Sequence, residues 1–371
     1  MSLFEFSDEQ RELRRVSRAY VTASFPESEV RRLMETAEGY DRAAWEKMAR
    51  QLGLQGLIIP ERYGGAGAGP VELAIVLDEM GRRLAPVPFL STVLATVAIL
   101  ESGDEAAAAD LLPPIADGEC VATLAVAEGS GRWDAAAVRC RASPAGSGWV
   151  LRGTKSFVTD GHAADLLVVA ARTDNGIELF AVDGRAPGLR RTVLTAFDPT
   201  RRLTELHLDG TPARLLGELG GGDAALARIL DLVRVAVAAE QAGSAEFVLQ
   251  MAVGYAKERV QFGRAIGSFQ AVKHMCADAL LDVESALSAA YYAAWAAADH
   301  SLELATVAPL AKAFCSDTLL ETAATNIQVH GGIAFTWEHP AHLYYRRAKS
   351  GAQLWGDSRA HRDVLATQIG L

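Results

Sequence analysis

The sequence predicts an α+β protein in three parts: a helical domain over residues 1–118, a β domain over 119–222 and a helical bundle over 223–371. Three observations carry this. Apolar residues recur at helical spacing through the first part. After Gly118 the runs shorten to strands bounded by turn residues. From Asp223 onward the chain is Ala-rich, long-period and nearly free of breakers. With 371 residues, half of them hydrophobic and 22% charged, the chain is long enough for several domains with large cores.

In the first part, Ser7-Asp8-Glu9-Gln10 has the form of a capping box, in which Ser7 caps and Gln10 reaches back. Leu13, Val16 and Tyr20 give the helix it opens an apolar stripe, and Pro26 ends that region. A second helix is expected over 41–52. Residues 57–67 (LIIPERYGGAG) form a turn-rich link, because Gly and Pro dominate it. Helices follow at 70–84, 92–102 and 105–112, the first two separated by Pro86 and Pro88.

Six strands are expected at 120–126, 138–142, 148–155, 166–171, 177–182 and 203–208, a spacing that suits a small sandwich or barrel. Three long helices then read as 223–257, 272–300 and 307–330, with Pro309 tolerable in a first turn.

The formal net charge of -10 argues against nucleic acid as a bulk partner. Four cysteines, far apart and without a CxxC pair, signal neither a metal site nor a disulfide framework. The N-terminal segment is charged too early for a secretory signal, and no charge-free apolar run reaches membrane-spanning length. The expectation is a soluble, cytoplasmic protein with no membrane partner.

One stretch bears on chemistry. Residues 255–276, YAKERVQFGRAIGSFQAVKHMC, place Arg259, Gln261, Phe262, Gly263, Ile266 and Gln270 in the order R-x-Q-F-G-x-x-I-x-x-x-Q. Phe262-Gly263 breaks one helix, and another begins after it. Arg offers a planar, permanently charged fork, and a turn exposes backbone N–H groups, so the corner suits a phosphate-bearing ligand. A solvated corner with an ordinary surface Arg fits the same residues.

This stretch resembles the FAD-binding corner of the acyl-CoA dehydrogenase family, whose fold has the same order of helical domain, β domain and four-helix bundle. Four further segments are similar in order. They are Pro60 to Gly67 (PExYGGxG), Glu79-Met80-Gly81-Arg82, Lys155 to Gly161 (K-x-x-V-T-D-G, with Asp for Asn), and Gln328 to Phe335 followed by Glu338 and Pro340. The resemblance implies FAD as cofactor, an acyl-CoA substrate and an electron-transfer flavoprotein as acceptor. The reaction it implies is α,β-dehydrogenation, with a proton taken from Cα and hydride passed from Cβ to FAD. It assigns Arg259 to the FAD pyrophosphate across a subunit interface, and Phe262 and Gln270 to the adenine side. Gln328 and Gly332 take the other flank of the dinucleotide, Phe157 lies against the flavin, and Thr159 hydrogen-bonds the ring.

The departures are as informative. The family's catalytic Glu lies in a Y-E-G-T segment, which here is Leu354-Trp355-Gly356-Asp357, so Trp355 stands at the base position. The other position used in the family falls on Val233, and neither residue takes a proton. Glu240 lies two helical turns beyond Val233 on the same side, in a run nearly free of charge. Burial there raises a carboxyl pKa, as a base requires. Two readings of Glu240 stand: catalytic base, or a helix carboxylate paired with an Arg or polar group. Asp357, where the family has Thr, is assigned to the cofactor side or to a structural role. The family's T-E-P-G-A-G-S-D, which serves flavin and thioester, is here Ala127 to Asp134 (AEGSGRWD).

The chain is similar in these respects to actinobacterial members that process steroid side chains as pairs of unlike subunits. That implies a homotetramer or an α2β2 heterotetramer with a paralogous subunit. A flavin-dependent monooxygenase on the same fold, and a non-catalytic subunit that completes a partner's FAD site, are the alternative readings.

Overall fold

The capping box closes as its sequence predicts. The Ser7 hydroxyl accepts from the Gln10 N–H, and the Gln10 side chain accepts from the Ser7 N–H at 3.0 Å. From it grows α1 (Asp8–Ser24). The computed structural model describes residues 5–371, so the first four residues of the charged N-terminal segment lie outside the described residues. Pro26 does more than end α1. It caps a further helix, α2 (Glu27–Met34), because its fixed φ of -61° suits a helix start. Asp41 caps α3 (Arg42–Leu52) by accepting from the Ala44 N–H. The link expected at 57–67 holds a short 3₁₀ turn, Glu61–Tyr63, and folds back so that the Ala66 N–H reaches the Gly56 carbonyl at 2.9 Å. Helices α4 (Pro70–Arg82), α5 (Phe89–Glu101) and α6 (Glu105–Ala116) complete the first part; α6 continues through Pro113 and Pro114, past its expected end.

The β domain has seven strands where six were expected: β1 (Ala122–Ala125), β2 (Arg141–Ala145), β3 (Gly148–Thr159), β4 (Leu166–Thr173), β5 (Gly176–Asp183), β6 (Leu189–Leu194) and β7 (Leu203–Leu216). The additional strand, β6, carries Arg190 and Arg191 and is mostly exposed, so it lacks the apolar alternation that marks a strand in a sequence. Because β5 pairs with both β4 and β7, strands β4, β2, β3, β7 and β5 close into a ring. Leu151, Val169, Phe180 and Leu206 fill it. Of the sandwich and the barrel, the barrel forms.

The last part is built on α7 (Gly222–Glu258), 37 residues long. A two-residue-per-strand hairpin follows it, β8 (Val260–Gln261) with β9 (Arg264–Ala265). Then come α8 (Gln270–Ala298), α9 (Leu304–His330), α10 (Ala341–Gly351) and α11 (Ser358–Gln368). The last two are short and polar on one face, and the sequence pattern did not single them out. Helix α7 packs against α4, α5, β5, α8, α9 and α10, and so touches all three parts. Its closest crossing is with α4. A Cβ on Gly81 would lie 2.1 Å from the Glu240 carbonyl oxygen, and one on Gly243 would lie 2.2 Å from that of Asp78. Two backbones meet where no side chain fits. Gly81→Ala is expected to destabilise the protein by about 1–3 kcal/mol or more, read as a lower denaturant midpoint at unchanged slope.

Among the described residues no helix is long and apolar enough to cross a membrane. No group of three or more His, Cys, Asp or Glu could hold a metal among them, and the four cysteines are free.

Candidate functional site

The candidate residues fall into two places, an exposed corner at one end of the helical bundle and a buried seam between the β domain and the bundle. The corner is a hairpin. Helix α7 ends at Glu258, and Phe262 (φ 53°) and Gly263 (φ 75°) make the two left-handed positions of the turn between β8 and β9. Such a turn favours Gly and Asn, so Phe262 holds its place against its own preference. It is 91% exposed. Arg259, Gln270, Gln328 and Gly332 are exposed as well. The end of α9 is brought to the same corner. Val329 packs with Ala256, Ile266 and Val272, and His330 stacks on Tyr255 at 4.2 Å between ring centroids. Residues about 60 apart in sequence are therefore brought to one exposed corner.

The seam begins in β3. Register with β7 slips between Lys155 and Val158, and Phe157 sits at the bulge with φ 59°. Lys155 is buried and bonds to Glu128 at 2.8 Å and to the Val126 carbonyl at 2.9 Å. Glu128 also accepts from the N–H groups of Arg139 and Cys140. It is thus the internal tie of the 127–134 loop. Thr159 is buried, and its carbonyl accepts from the Thr123 hydroxyl. Its own hydroxyl meets no partner in the chain.

Across from this loop lies the turn after α10. Trp355 is 4% exposed, has φ 64°, and lies against Trp133 with 4.3 Å between ring centroids and the ring planes tilted by 41°. Its indole Nε1 is buried without a partner. Sequence reasoning treated the 127–134 loop and the 354–357 turn as separate departures; the fold puts their two tryptophans ring against ring. The Asp357 carboxylate caps α11 by accepting from the Ala360 N–H at 2.8 Å. Val233 is fully buried on α7.

Glu240 is buried, and its carboxylate is paired with arginines. Its carboxylate bonds to Arg201 at 2.5 Å and lies 3.5 Å from Arg347. Arg347 also binds Asp198 at 2.6 Å and Thr200. Nearby, Ser91 on α5 donates to Asp160, whose carboxyl is pushed up mainly by burial. No spacing in the sequence brings Arg201, Arg347 and Glu240 together; only tertiary structure does.

Behind the Trp355 turn, His361 is buried with neither ring nitrogen bonded, and a Cβ on Gly356 would lie 3.1 Å from its ring. Burial pushes its pKa down to about 3, with the Lys312 charge adding to the effect. The folded chain therefore holds His361 neutral while the unfolded chain protonates it. Stability contributed by the neutral ring is present above the ordinary His value of about 6.5 and is lost as pH falls toward the folded value. The expected slope from this group is up to about 1.4 kcal/mol per pH unit across that window, and a His361→Leu variant should flatten it in urea melts.

The residues fit FAD on two counts. The buried Thr159 hydroxyl and Trp355 indole N–H are hydrogen-bonding groups that need an outside partner. The corner offers an unburied guanidinium, two side-chain amides and an aromatic ring on one surface.

Compared with known proteins, residues 7–119, 123–210 and 220–370 match the family models described as the N-terminal, middle and C-terminal domains of acyl-CoA dehydrogenase. The acyl-CoA dehydrogenase IpdE2 of Mycobacterium tuberculosis is 35% identical over 362 residues, 98% of each chain. Among solved structures, a single-residue variant of the Tcur3481-Tcur3483 steroid ACAD aligns with TM-score 0.90 and 35% identity over 98% of both chains. The ChsE4-ChsE5 complex from Mycobacterium tuberculosis aligns with TM-score 0.91 and 28% identity, over 99% of this chain and 98% of that one.

Proposed function

This chain belongs to the acyl-CoA dehydrogenase family of oxidoreductases, and from that membership we propose that it works as one of two unlike subunits. The assembly is an α2β2 FAD-dependent dehydrogenase that places an α,β double bond in a bulky, steroid-derived acyl-CoA. The observation that carries the reading is Trp355. An indole buried on Trp133 stands where the family's proton-abstracting Glu is expected, Val233 stands at the other such position, and Glu240 is tied to two arginines. The α-proton is then taken by a carboxylate of the paralogous subunit. Solved relatives named as paired chains support a heteromer.

In this reading the exposed corner serves the partner's cofactor. Arg259 binds the pyrophosphate with its charged fork, Phe262 and Gln270 hold the adenine side, and Gln328 with Gly332 closes the other flank. FAD, when bound, supplies the acceptor for hydride leaving Cβ. An electron-transfer flavoprotein takes the electrons onward. In this chain's own seam, Phe157 packs beside the ring position and Thr159 offers its hydroxyl there.

The test is to purify the chain alone and with a co-expressed paralogous acyl-CoA dehydrogenase, count flavin per chain, and titrate anaerobically with straight, branched and steroid acyl-CoAs. The complex should hold FAD and bleach on adding a steroid thioester, and the chain alone should not. A lone chain that holds a full complement of FAD and bleaches would overturn the heteromeric reading. Oxygen-dependent product formation with an added flavin reductase would instead identify a monooxygenase.

A further inference from the structure

Lys312 lies on α9 with its whole side chain buried. An ammonium group in that position normally has a carboxylate in contact. Here its three acceptors are neutral: the Ser316 hydroxyl at 2.7 Å, the Gly351 carbonyl at 3.2 Å and the Gly356 carbonyl at 3.3 Å. Ser316 donates in turn to the Gln241 side chain on α7 at 3.0 Å.

The two carbonyls are the ends of one turn. Gly351 closes α10, Gly356 follows Trp355, and between them the chain doubles back with Trp355 and Gly356 at φ 64° and 101°. A bulky residue in the left-handed region is strained and persists only where its surroundings hold it. Lys312 bridges the turn from below, and Trp133 covers it from the β domain.

We propose that Lys312 is the positioning residue of an aromatic cap. By gripping the carbonyls of Gly351 and Gly356 it holds Trp355 in its left-handed pose, packed at a tilt against Trp133 across the seam between the β domain and the helical bundle. The cap belongs to this chain's own geometry and holds whether the chain assembles with a copy of itself or with a paralogue.

The grip depends on charge. An ammonium has three N–H donors, one for each acceptor present, and the neutral amine has only two. Burial pushes the Lys312 ammonium down to about 7. The groups facing it are Cys315 and Asp317 on α9, Asp357 in the turn, Arg234 on α7 and His361 on α11. Asp317 is engaged by Ser358 and Arg362, and Asp357 by its cap bond, so neither carboxylate is drawn into contact with the lysine. The cap is therefore held fully below neutrality and loosened as the lysine loses its proton.

The experiment reads Trp355 directly. Tryptophan fluorescence and acrylamide quenching are recorded from about pH 5.5 to 9 for the full chain and for Trp355→Phe, and the difference isolates the Trp355 contribution. The wild-type contribution should shift with a single midpoint near neutrality and become several-fold more quenchable on the alkaline side. In Lys312→Met, which keeps the apolar stem and removes the donors, it should be in the quenchable form at every pH. A Trp355 contribution that neither titrates in the wild type nor changes in Lys312→Met overturns the proposal. Should Lys312→Met fail to fold, the wild-type titration decides alone, since a purely structural lysine gives no pH-dependent Trp355 signal.

Discussion

Replacing Glu240 with alanine is expected to lower the unfolding free energy by about 3–5 kcal/mol, because it leaves two buried guanidinium groups facing an empty site. Arg201 loses its carboxylate, at 2.5 Å, and Arg347 keeps Asp198 and Thr200. Glu240→Gln retains an oxygen acceptor for Arg201 and should fall between the wild type and Glu240→Ala. Urea or thermal unfolding at neutral pH gives the size of the loss. The same pair of variants separates the two roles available to this residue. If Glu240 holds the domains together, flavin bleaching by the assembled enzyme survives in Glu240→Gln in proportion to folded protein. If it takes the α-proton, bleaching disappears while fold and flavin stay intact.

The second large effect belongs to the corner. Arg259→Ala in the co-purified complex should weaken FAD binding by about 10- to 100-fold, the loss of one charge-assisted contact to a pyrophosphate. Equilibrium dialysis or the flavin content after gel filtration measures it. Lys restores the charge and not the bidentate fork, so Arg259→Lys should recover only part of the affinity. Arg259 is exposed in this chain, so its removal should leave the folding of the chain unchanged. Unaltered flavin content in Arg259→Ala would place the pyrophosphate elsewhere.

Much of this architecture is legible in the amino-acid sequence because each part has a period of its own. The Ser7 box, the Asp41 cap and the long apolar helices announce themselves locally, and most strands carry buried residues at the expected positions. What escapes is what lacks such a signature. Strand β6 is charged and exposed, α2 hides behind a proline, and α10 and α11 are too short to build a clear stripe. The site divides the same way. The corner residues are near neighbours in two segments and can be recognised as such. The ion pairs of Glu240 join residues 39 and 107 positions away, and the Trp133–Trp355 contact joins positions 222 apart. Contacts at such separations are set by the closing of the whole fold, so a reading of local patterns finds the residues but not their partners.

Helix α7 has one more consequence, for how the molecule can be taken apart. At about 1.5 Å per residue its 37 residues make a rod of roughly 55 Å. That rod is the shared wall of the N-terminal helices, the barrel and the bundle, so neither helical part keeps its own core when it is removed. The barrel has interior residues of its own, yet it leans on α7 through β5. The three parts are domains by shape and by sequence pattern, but not modules. A chimaera that exchanges one of them with a relative must carry the matching face of α7 with it, and substitutions along that helix are felt in all three parts.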